Sequence, residues 1–170
     1  METRWLNADE RATWLRLVAV VELLPGVLDS QLRRDAGVTH FEYFVLAMLS
    51  EATDHTLRMT SLAQRTSATL PRLSHVIRRL ERRGFVERNP CPEDGRASNA
   101  RLTAAGWDEV VAAAPGHVRT VRRNVLDPLT PAQLTQLRRI GEALLTQLDP
   151  EGRMTGLYNP ADTVGDAPAR

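Results

Sequence analysis

The chain has 170 residues, of which 42% are hydrophobic and 25% are charged, and this ordinary globular composition excludes disorder throughout. It contains no run of about 20 apolar residues, no basic-then-apolar leader and only one cysteine, Cys91, so we expect a cytoplasmic protein without a membrane segment, an intramolecular disulfide or a cysteine pair for zinc. Its formal net charge of +1 is close to neutral, so a charged surface can arise only from an uneven distribution of residues.

Residues 5–55 are predicted to form two helices. In the first, Asn7 and Glu10 have the spacing of a capping box, and apolar residues follow at helical spacing. Pro25 should kink or divide this helix, because it removes one backbone donor and clashes with the preceding turn. Gly37 is placed to end it.

The second helix begins with another capping box, formed by Thr39 and Glu42, and Val38 and Tyr43 are spaced as its hydrophobic staple. The apolar run FEYFVLAMLS carries this helix to about residue 51.

Residues 56–103 have the element order of a helix-turn-helix followed by a hairpin. A short extended segment over residues 56–58 precedes a small helix that Thr60 can cap, and residues 67–69 supply the turn. Thr69 can cap the next helix.

Gly84 ends that helix, and a two-stranded hairpin is predicted after it. Residues 85–88 alternate as a strand, residues 90–96 have turn chemistry, and residues 100–103 form the returning strand.

Residues 104–148 are predicted to form the C-terminal helices. The first starts at Ala104 and should be disturbed at Pro115, and the second opens with a capping box whose N-cap is Thr130. Residues 149–170 are rich in Gly, Pro and Asp, and we expect this tail to be disordered.

The helix after the turn has two different faces. At 100° per residue, the apolar residues that share its core face are Leu73, Val76, Ile77 and Leu80. The residues on the opposite, outer face are Pro71, His75, Arg78 and Arg82, and the residues that flank this face are Arg72, Ser74 and Arg79.

Positive charge is concentrated in residues 56–103. All 22 basic residues of the chain are Arg, and ten of them lie here against four carboxylates, whereas the rest of the chain has twelve Arg against 17 carboxylates. Arg-only usage can reflect a GC-rich coding sequence, but the uneven distribution is an electrostatic footprint for a polyanion. Arg83, Arg88 and Arg101 lie near the places where the predicted helices and strands meet, and we expect them mainly to stabilise the fold.

A basic helix after a small helix and a tight turn is typical of the recognition half of a helix-turn-helix, which enters the major groove of double-stranded DNA. Arg can bind guanine bidentately, and Ser and His can donate or accept. We therefore interpret six residues of this helix as DNA-binding, namely Pro71, Arg72, Ser74, His75, Arg78 and Arg79. Hydroxyls of Thr60, Ser67 and Thr69 near helix starts are candidates for phosphate contacts. At the hairpin tip, Asp94 can orient Arg96 towards a phosphate or into the minor groove.

Other interpretations stay open. A basic helix face can simply be solvated, and a winged-helix module can bind an acidic protein partner without binding DNA specifically. An enzyme is disfavoured because Cys91 has no His close to it in sequence, Glu93 and Asp94 lie on a turn, and there is no Gly-rich phosphate loop. No cofactor or metal is expected.

Three motifs of this region resemble the MarR family of bacterial winged helix-turn-helix transcriptional regulators. They are LERRGFVER at residues 80–88, PEDGR at residues 92–96 and LTAAG at residues 102–106. The segment TSLAQRTS and the LTPAQL start of the last helix are also similar, so the resemblance covers about residues 5–148.

The resemblance implies a mainly α fold with a small β-hairpin wing. A winged helix-turn-helix over residues 56–103 would be joined to a helical dimerisation domain made of residues 5–55 and 104–148. It also implies a homodimer that regulates transcription, most often as a repressor, at a near-palindromic operator, and that is commonly released by a small phenolic or other lipophilic ligand. Apolar terminal helices agree with a dimer, because their surplus surface needs a partner.

Some residues depart from the family pattern and others match it. His75 stands where many members have Arg, and Arg78 stands where an acidic residue is frequent. Asp94 and Arg96 match the wing pattern directly.

Cys91 is predicted to lie in the wing loop, where an incidental role is favoured over redox sensing. Trp14, His40, Phe44 and Trp107 are candidates for a ligand pocket, but aromatic residues on helices are more often core, so no ligand site is assigned.

Overall fold

The computed structural model describes residues 2–91 and 94–154, and of residues 94–96 only the backbone. Within these ranges the chain is mainly helical with a small antiparallel sheet, so the predicted fold class is confirmed. The helices are α1 (Ala8–Ala36), α2 (His40–Ser50), α3 (Met59–Arg65), α4 (Leu70–Arg82), α5 (Ala104–Val121) and α6 (Pro131–Leu148). The strands are β1 (Thr56–Arg58), β2 (Val86–Cys91) and β3 (Asp94–Leu102), and single turns of 3₁₀ and π helix cover Thr53–His55 and Arg122–Leu126. No helix in the described ranges combines the length and hydropathy that a bilayer span requires.

Side-chain caps set the starts of α1, α2 and α6, as the spacing predicts. At α2, Thr39 Oγ1 accepts the Glu42 N–H at 3.1 Å, and Glu42 Oε2 accepts the Thr39 N–H at 2.8 Å. The same reciprocal pair forms at α1 from Asn7 and at α6 from Thr130. Each box satisfies two backbone donors that the helix itself leaves free, so these starts are fixed by local sequence.

The predicted cap of the small helix is wrong. α3 begins at Met59, so Thr60 lies inside its first turn, and the N-cap position is Arg58, whose side chain makes no capping hydrogen bond. β1 leads directly into α3, and the buried Met59 side chain belongs to the main core. The helix therefore starts at the buried Met59, one residue before Thr60, and the Thr60 hydroxyl is not in the position of an N-cap.

Two prolines lie inside long helices without interrupting them. α1 continues through Pro25 as one helix, and α5 continues through Pro115 to Val121, so neither a division at Pro25 nor a break at Pro115 is observed. Each proline leaves the carbonyl four residues earlier without its helical donor. Those residues, Val21 and Val111, are exposed, so water can bond to their carbonyls.

The sheet has three antiparallel strands in the order β1-β3-β2. Thr56 of β1 lies opposite Arg101, and Val86 of β2 lies opposite Leu102. The predicted hairpin therefore gains a third strand, because the short extended segment before α3 pairs with its returning strand.

The hairpin strands also extend further than predicted. Cys91 lies opposite Asp94, with a register shift between Pro90 and Cys91, so most of residues 90–96 continues the strands instead of forming a turn. Pro90 is tolerated because β2 is an edge strand. Cys91 is the last residue of β2 and is buried, so its predicted place in a loop is wrong. Residues 92–93 lie outside the described ranges.

The main hydrophobic core lies between α2, α3, α4 and the sheet. Its completely buried members are Val45, Leu46, Leu49, Leu62, Leu73, Ile77, Leu80 and Ala100. A second, smaller cluster joins α1, α2 and α5 and contains Leu32, Val38, Tyr43 and Ala113. The two predicted staple residues, Val38 and Tyr43, both belong to it.

The LTAAG motif joins the hairpin to α5. A Cβ atom on Gly106 would lie 2.1 Å from Phe85 O and 2.7 Å from Leu102 Cδ1, so only glycine permits this close approach. Thr103 caps α5 by accepting the Gly106 N–H at 3.0 Å, and its hydroxyl donates to Gly84 O at 2.6 Å. The motif thus fixes α5 against the start of the hairpin.

Apolar side chains of α1 and α6 remain exposed. α6 has no buried residue, and α1 buries only Leu28, Gln31 and Leu32. The exposed large apolar residues of these two helices include Trp14, Leu17, Val20, Leu23, Val27, Leu137, Ile140 and Leu144. Packing within one chain therefore leaves an apolar surface uncovered.

Only the first part of the predicted tail lies within the described ranges. Residues 149–154 form a turn in which the Asp149 carboxylate accepts the N–H groups of Arg153 and Met154 at 2.9 Å each. The disorder predicted for the rest of the tail falls on residues 155–170, which lie outside the described ranges.

Two histidines meet where α1, α2 and α5 join. The ring centroids of His40 and His117 are 6.4 Å apart, and the Tyr43 ring lies 4.8 Å from that of His117. Burial lowers the pKa of both imidazoles; the charge of His40 lowers the pKa of His117 further, whereas Asp29 partly opposes the shift at His40. His117 Nδ1 is buried without a hydrogen-bond partner among the described residues. Folding therefore favours the neutral form of both rings.

We expect the free energy of unfolding to decrease as the pH is lowered from about 7 to about 5. A histidine whose pKa is lowered by folding takes up its proton more readily in the unfolded chain, where imidazoles titrate near pH 6.5. Its contribution is complete above that pH and is lost below it. His117→Phe keeps a ring beside Tyr43 and removes one titrating group, so it should flatten this dependence. Urea unfolding followed by circular dichroism measures the free energy of unfolding of both proteins at each pH. If the free energy fell equally steeply with pH in the two proteins, His117 would not be a source of the pH dependence.

Candidate nucleic-acid interface

One apolar face holds α4 on the core. Leu73, Ile77 and Leu80 are completely buried, and the partly buried Val76 packs against the same cluster. This is the face that the helical spacing predicts, and it leaves the opposite face towards solvent.

The outer face of α4 carries unpaired positive charge. Its exposed residues are Pro71, His75, Arg78 and Arg82. Over residues 2–91 and 94–154, neither Arg78 nor Arg82 has a hydrogen-bond or ion-pair partner. Both line a shallow depression with His75 and Glu81, and the Glu81 carboxylate lies 3.6 Å from Arg88. The two guanidinium groups are therefore available to a partner outside the chain.

The turn before α4 is tight. Ser67 has a φ of +47°, in the left-handed region that is uncommon for residues other than glycine. Thr69 then caps α4, because its hydroxyl accepts the Arg72 N–H at 3.4 Å, and Pro71 occupies the first turn, where no N–H is needed. Ser67 and Thr69 are both exposed, so the helix start is accessible.

A groove between the helices and the hairpin brings two predicted residues together. Its volume is about 220 Å³, and its lining residues are Met59, Thr60, Leu70, Ser74, Arg88, Ala97 and Ser98. Thr60 and Ser74, which lie on different helices, thus share one surface with β2 and β3.

Two arginines predicted to flank the outer face contact α2 instead. Arg79 Nη2 lies 3.1 Å from Glu42 Oε1, and the Arg72 guanidinium lies over the Phe41 ring, 4.2 Å from its centroid. The sequence indicates Glu42 only as a capping residue, because its spacing from Thr39 carries no information about a partner on another helix.

Other arginines of the module support the fold, as expected. Arg83 Nη1 donates to Gly37 O at 3.0 Å, and its guanidinium lies 4.5 Å from the centroid of the Phe85 ring. Arg88 pairs with Glu81 on α4. These contacts hold α4 to α1 and to the hairpin.

The hairpin tip is described only in its backbone. Asp94 and Arg96 lie in β3, with Asp94 opposite Cys91. Their side chains lie outside what the structure describes, so the orientation of Arg96 by Asp94 stays a prediction. Just below the tip, Arg58 Nη2 donates to the buried Cys91 Sγ at 3.4 Å.

The aromatic residues considered for a ligand pocket lie in different places. Phe44 packs on the main core and His40 contacts His117, whereas Trp14 and Trp107 are exposed on separate helices.

Comparisons with known proteins identify the family. The model of the MarR family matches residues 38–98, which run from the start of α2 into β3. The HTH-type transcriptional repressor Rv2887 of Mycobacterium tuberculosis is 34% identical over 108 residues, which are 64% of this chain and 76% of that protein. The chain belongs to the MarR family. Another relative, the HTH-type transcriptional repressor YetL of Bacillus subtilis, is 33% identical over 81 residues.

The match to some curated relatives is partial. The chain spans about half the length of YetL and of YdcH, both from Bacillus subtilis, at 48% and 54%.

Solved structures of MarR proteins align over most of the chain. Sco3205, a MarR family transcriptional regulator from Streptomyces coelicolor solved in complex with DNA, is 43% identical with a TM-score of 0.84, covering 88% of this chain and 93% of that one. AbsC, another MarR family regulator from the same organism, is 36% identical with a TM-score of 0.80, covering 86% and 98%.

Proposed function

We propose that this MarR-family chain is a transcriptional regulator that binds double-stranded DNA, with α4 in the major groove and the β2–β3 hairpin as the wing. The outer face of α4 carries the proposal, because Arg78 and Arg82 are exposed on a firmly held helix and have no partner within the described ranges. The complex of Sco3205 with DNA supports the same use of this fold.

The proposed roles follow the chemistry of each side chain. Arg78 and His75 contact base edges, and the hydroxyl groups near the starts of α3 and α4 contact phosphates. The proposed DNA-binding residues are Thr60, Ser67, Thr69, Pro71, Arg72, Ser74, His75, Arg78, Asp94 and Arg96. Arg79, which the sequence also predicts to bind DNA, pairs with Glu42 and is not included among them. The excess of Arg over carboxylates in residues 56–103 attracts the duplex. For each phosphate that the protein neutralises, the slope of log K for binding against the log of the salt concentration becomes steeper by about 0.9.

Replacing Arg78 by Ala should weaken binding to the DNA fragment upstream of the chain's own gene by at least about tenfold, because a bidentate contact to a base is lost. Arg34→Ala is the matched control: it removes the same charge from α1, where Arg34 pairs with Asp35. Electrophoretic shift over a range of salt concentrations measures both variants. A wild-type protein without a salt-sensitive, selective complex would refute the proposal. Unchanged binding by Arg78→Ala and Arg96→Ala would favour the alternative, a module that binds an acidic protein.

We also propose that the chain acts as a homodimer, in which α1 and α6 of two copies cover each other. Between α1 and α6 lies an apolar groove of about 590 Å³ whose lining residues include Val20, Leu23, Leu24, Val27, Leu129, Leu137 and Ile140. A second copy is the occupant that fits, because it offers the same exposed apolar helices and a two-fold axis pairs like with like.

Ile140→Asp should abolish this dimer, because it places a carboxylate in the apolar groove. Thr135→Asp, which adds the same charge on the other side of α6, should remain dimeric. Sedimentation velocity distinguishes the 19.0 kDa chain from a species of twice that mass. A monomeric wild type, or a dimer that survives Ile140→Asp, would contradict the arrangement.

Repression is the direction of regulation that we propose, because YetL and Rv2887 are both described as repressors. Release by a small phenolic or lipophilic ligand rests on the family resemblance, and no residue of this chain is assigned to that role. We propose no enzymatic activity, because these relatives are described as regulators of transcription.

A further inference from the structure

We propose that Glu42 and Arg79 are positioning residues that set the rotation of α4 about its own axis, and that Arg79 acts through Glu42 and does not read DNA. This inference rests on the proposed function, and it replaces the DNA-binding role that the sequence predicts for Arg79. It assigns part of the sequence selectivity to a contact that faces away from the duplex.

Two contacts hold one side of α4 against the start of α2. Arg72 and Arg79 are seven residues apart, so they lie two turns apart and differ by only about 20° around the helix. Arg72 covers the Phe41 ring at 4.2 Å and Arg79 reaches Glu42 at 3.1 Å. Two adjacent residues of α2, Phe41 and Glu42, are thus contacted by arginines that lie two turns apart on α4.

The apolar face of α4 does not fix this rotation by itself. Leu73, Ile77 and Leu80 are completely buried, but the hydrophobic effect is non-directional and tolerates a small roll of the helix. A roll would move Arg78 and His75 relative to the base edges, which accept hydrogen bonds only within narrow limits of distance and angle. A polar contact on the side of the helix, such as that between Arg79 and Glu42, restricts the rotation of α4 about its axis.

The Glu42 carboxylate is itself held in place. It is 1% exposed, and its Oε2 accepts the N–H of Thr39 at 2.8 Å and the Thr39 hydroxyl at 2.9 Å. Over the described residues, Oε1 has no hydrogen bond of suitable angle, and Arg79 is the only group within ion-pair distance of it. A buried carboxylate needs such a partner, so the guanidinium is drawn to one fixed point.

A third arginine extends the link towards α1. Arg83, just after α4, donates to the carbonyl of Gly37, the residue that ends α1. Residues 37–42 are therefore contacted by arginines in the first turn, in the last turn and just beyond the end of α4. The junction of α1 and α2 sets the orientation of the helix proposed to read DNA.

The test compares Glu42→Gln, Arg79→Gln and the double variant. Glutamine at residue 42 can still serve the capping box while losing its charge. If Arg79 bound DNA directly, Glu42→Gln would leave binding unchanged or strengthen it, because a negative charge is removed. If the pair acts by positioning, both single variants should lose about tenfold in the ratio of binding to the upstream fragment over binding to poly(dI-dC), and the double variant should lie within about threefold of either.

The salt dependence of binding provides the second readout. The slope of log K against the log of the salt concentration should be the same for Arg79→Gln as for the wild type. Loss of a phosphate contact would instead make this slope shallower by about 0.9 for each contact. Thermal unfolding by circular dichroism checks that the variants fold. If Glu42→Gln does not fold, the salt dependence of DNA binding by Arg79→Gln alone tests the proposal.

The outcomes separate this inference from the proposed function. Selective binding by Glu42→Gln at the wild-type level, additive losses in the double variant, or a reduced slope for Arg79→Gln would overturn the positioning role and leave the proposed function standing. A wild-type protein that shows no selective complex would overturn both.

Discussion

Burial of one face of α4 is the constraint on which the rest of the structure depends. Leu73, Ile77 and Leu80 are completely buried where α2, α3 and the sheet converge. Complete burial of a Leu or Ile side chain stabilises by about 1.5–3 kcal/mol, so three such side chains hold α4 on the core. The apolar face therefore decides that α4 is held, and the polar contacts on its flank decide how it is turned.

The arginines of residues 56–103 divide according to the face on which they lie. Arg79 and Arg83 contact the junction of α1 and α2, and Arg88 contacts Glu81, so these charges are used within the chain. Arg78 lies on the face of α4 opposite the buried Leu73, Ile77 and Leu80, and it has no partner in the described parts of the chain. A count of arginines thus overstates the charge available to a polyanion, and the geometry of α4 identifies the part that is free.

Features that depend on neighbouring residues could be predicted from the sequence. The capping box at Thr39 involves residues three apart, and the two faces of α4 follow from helical periodicity. The start of α3 at Met59 instead of Thr60, and the pairing of β1 with β3, could not be predicted, because core burial and strand pairing with a distant segment determine them. The approach of Arg79 to Glu42 was missed for the same reason, since it joins two helices.

Selection of binding sites from a random DNA library by the purified full-length chain tests the central claim most directly. A dimer that presents α4 from two copies related by a two-fold axis should recover a near-palindromic motif, with half-site centres about 10 base pairs, one helical turn, or a multiple of that apart. Such a motif would agree with the exposed face of Arg78 and with the apolar surface of α1 and α6. Recovery of no enriched motif, or of a single unpaired half-site, would contradict the account.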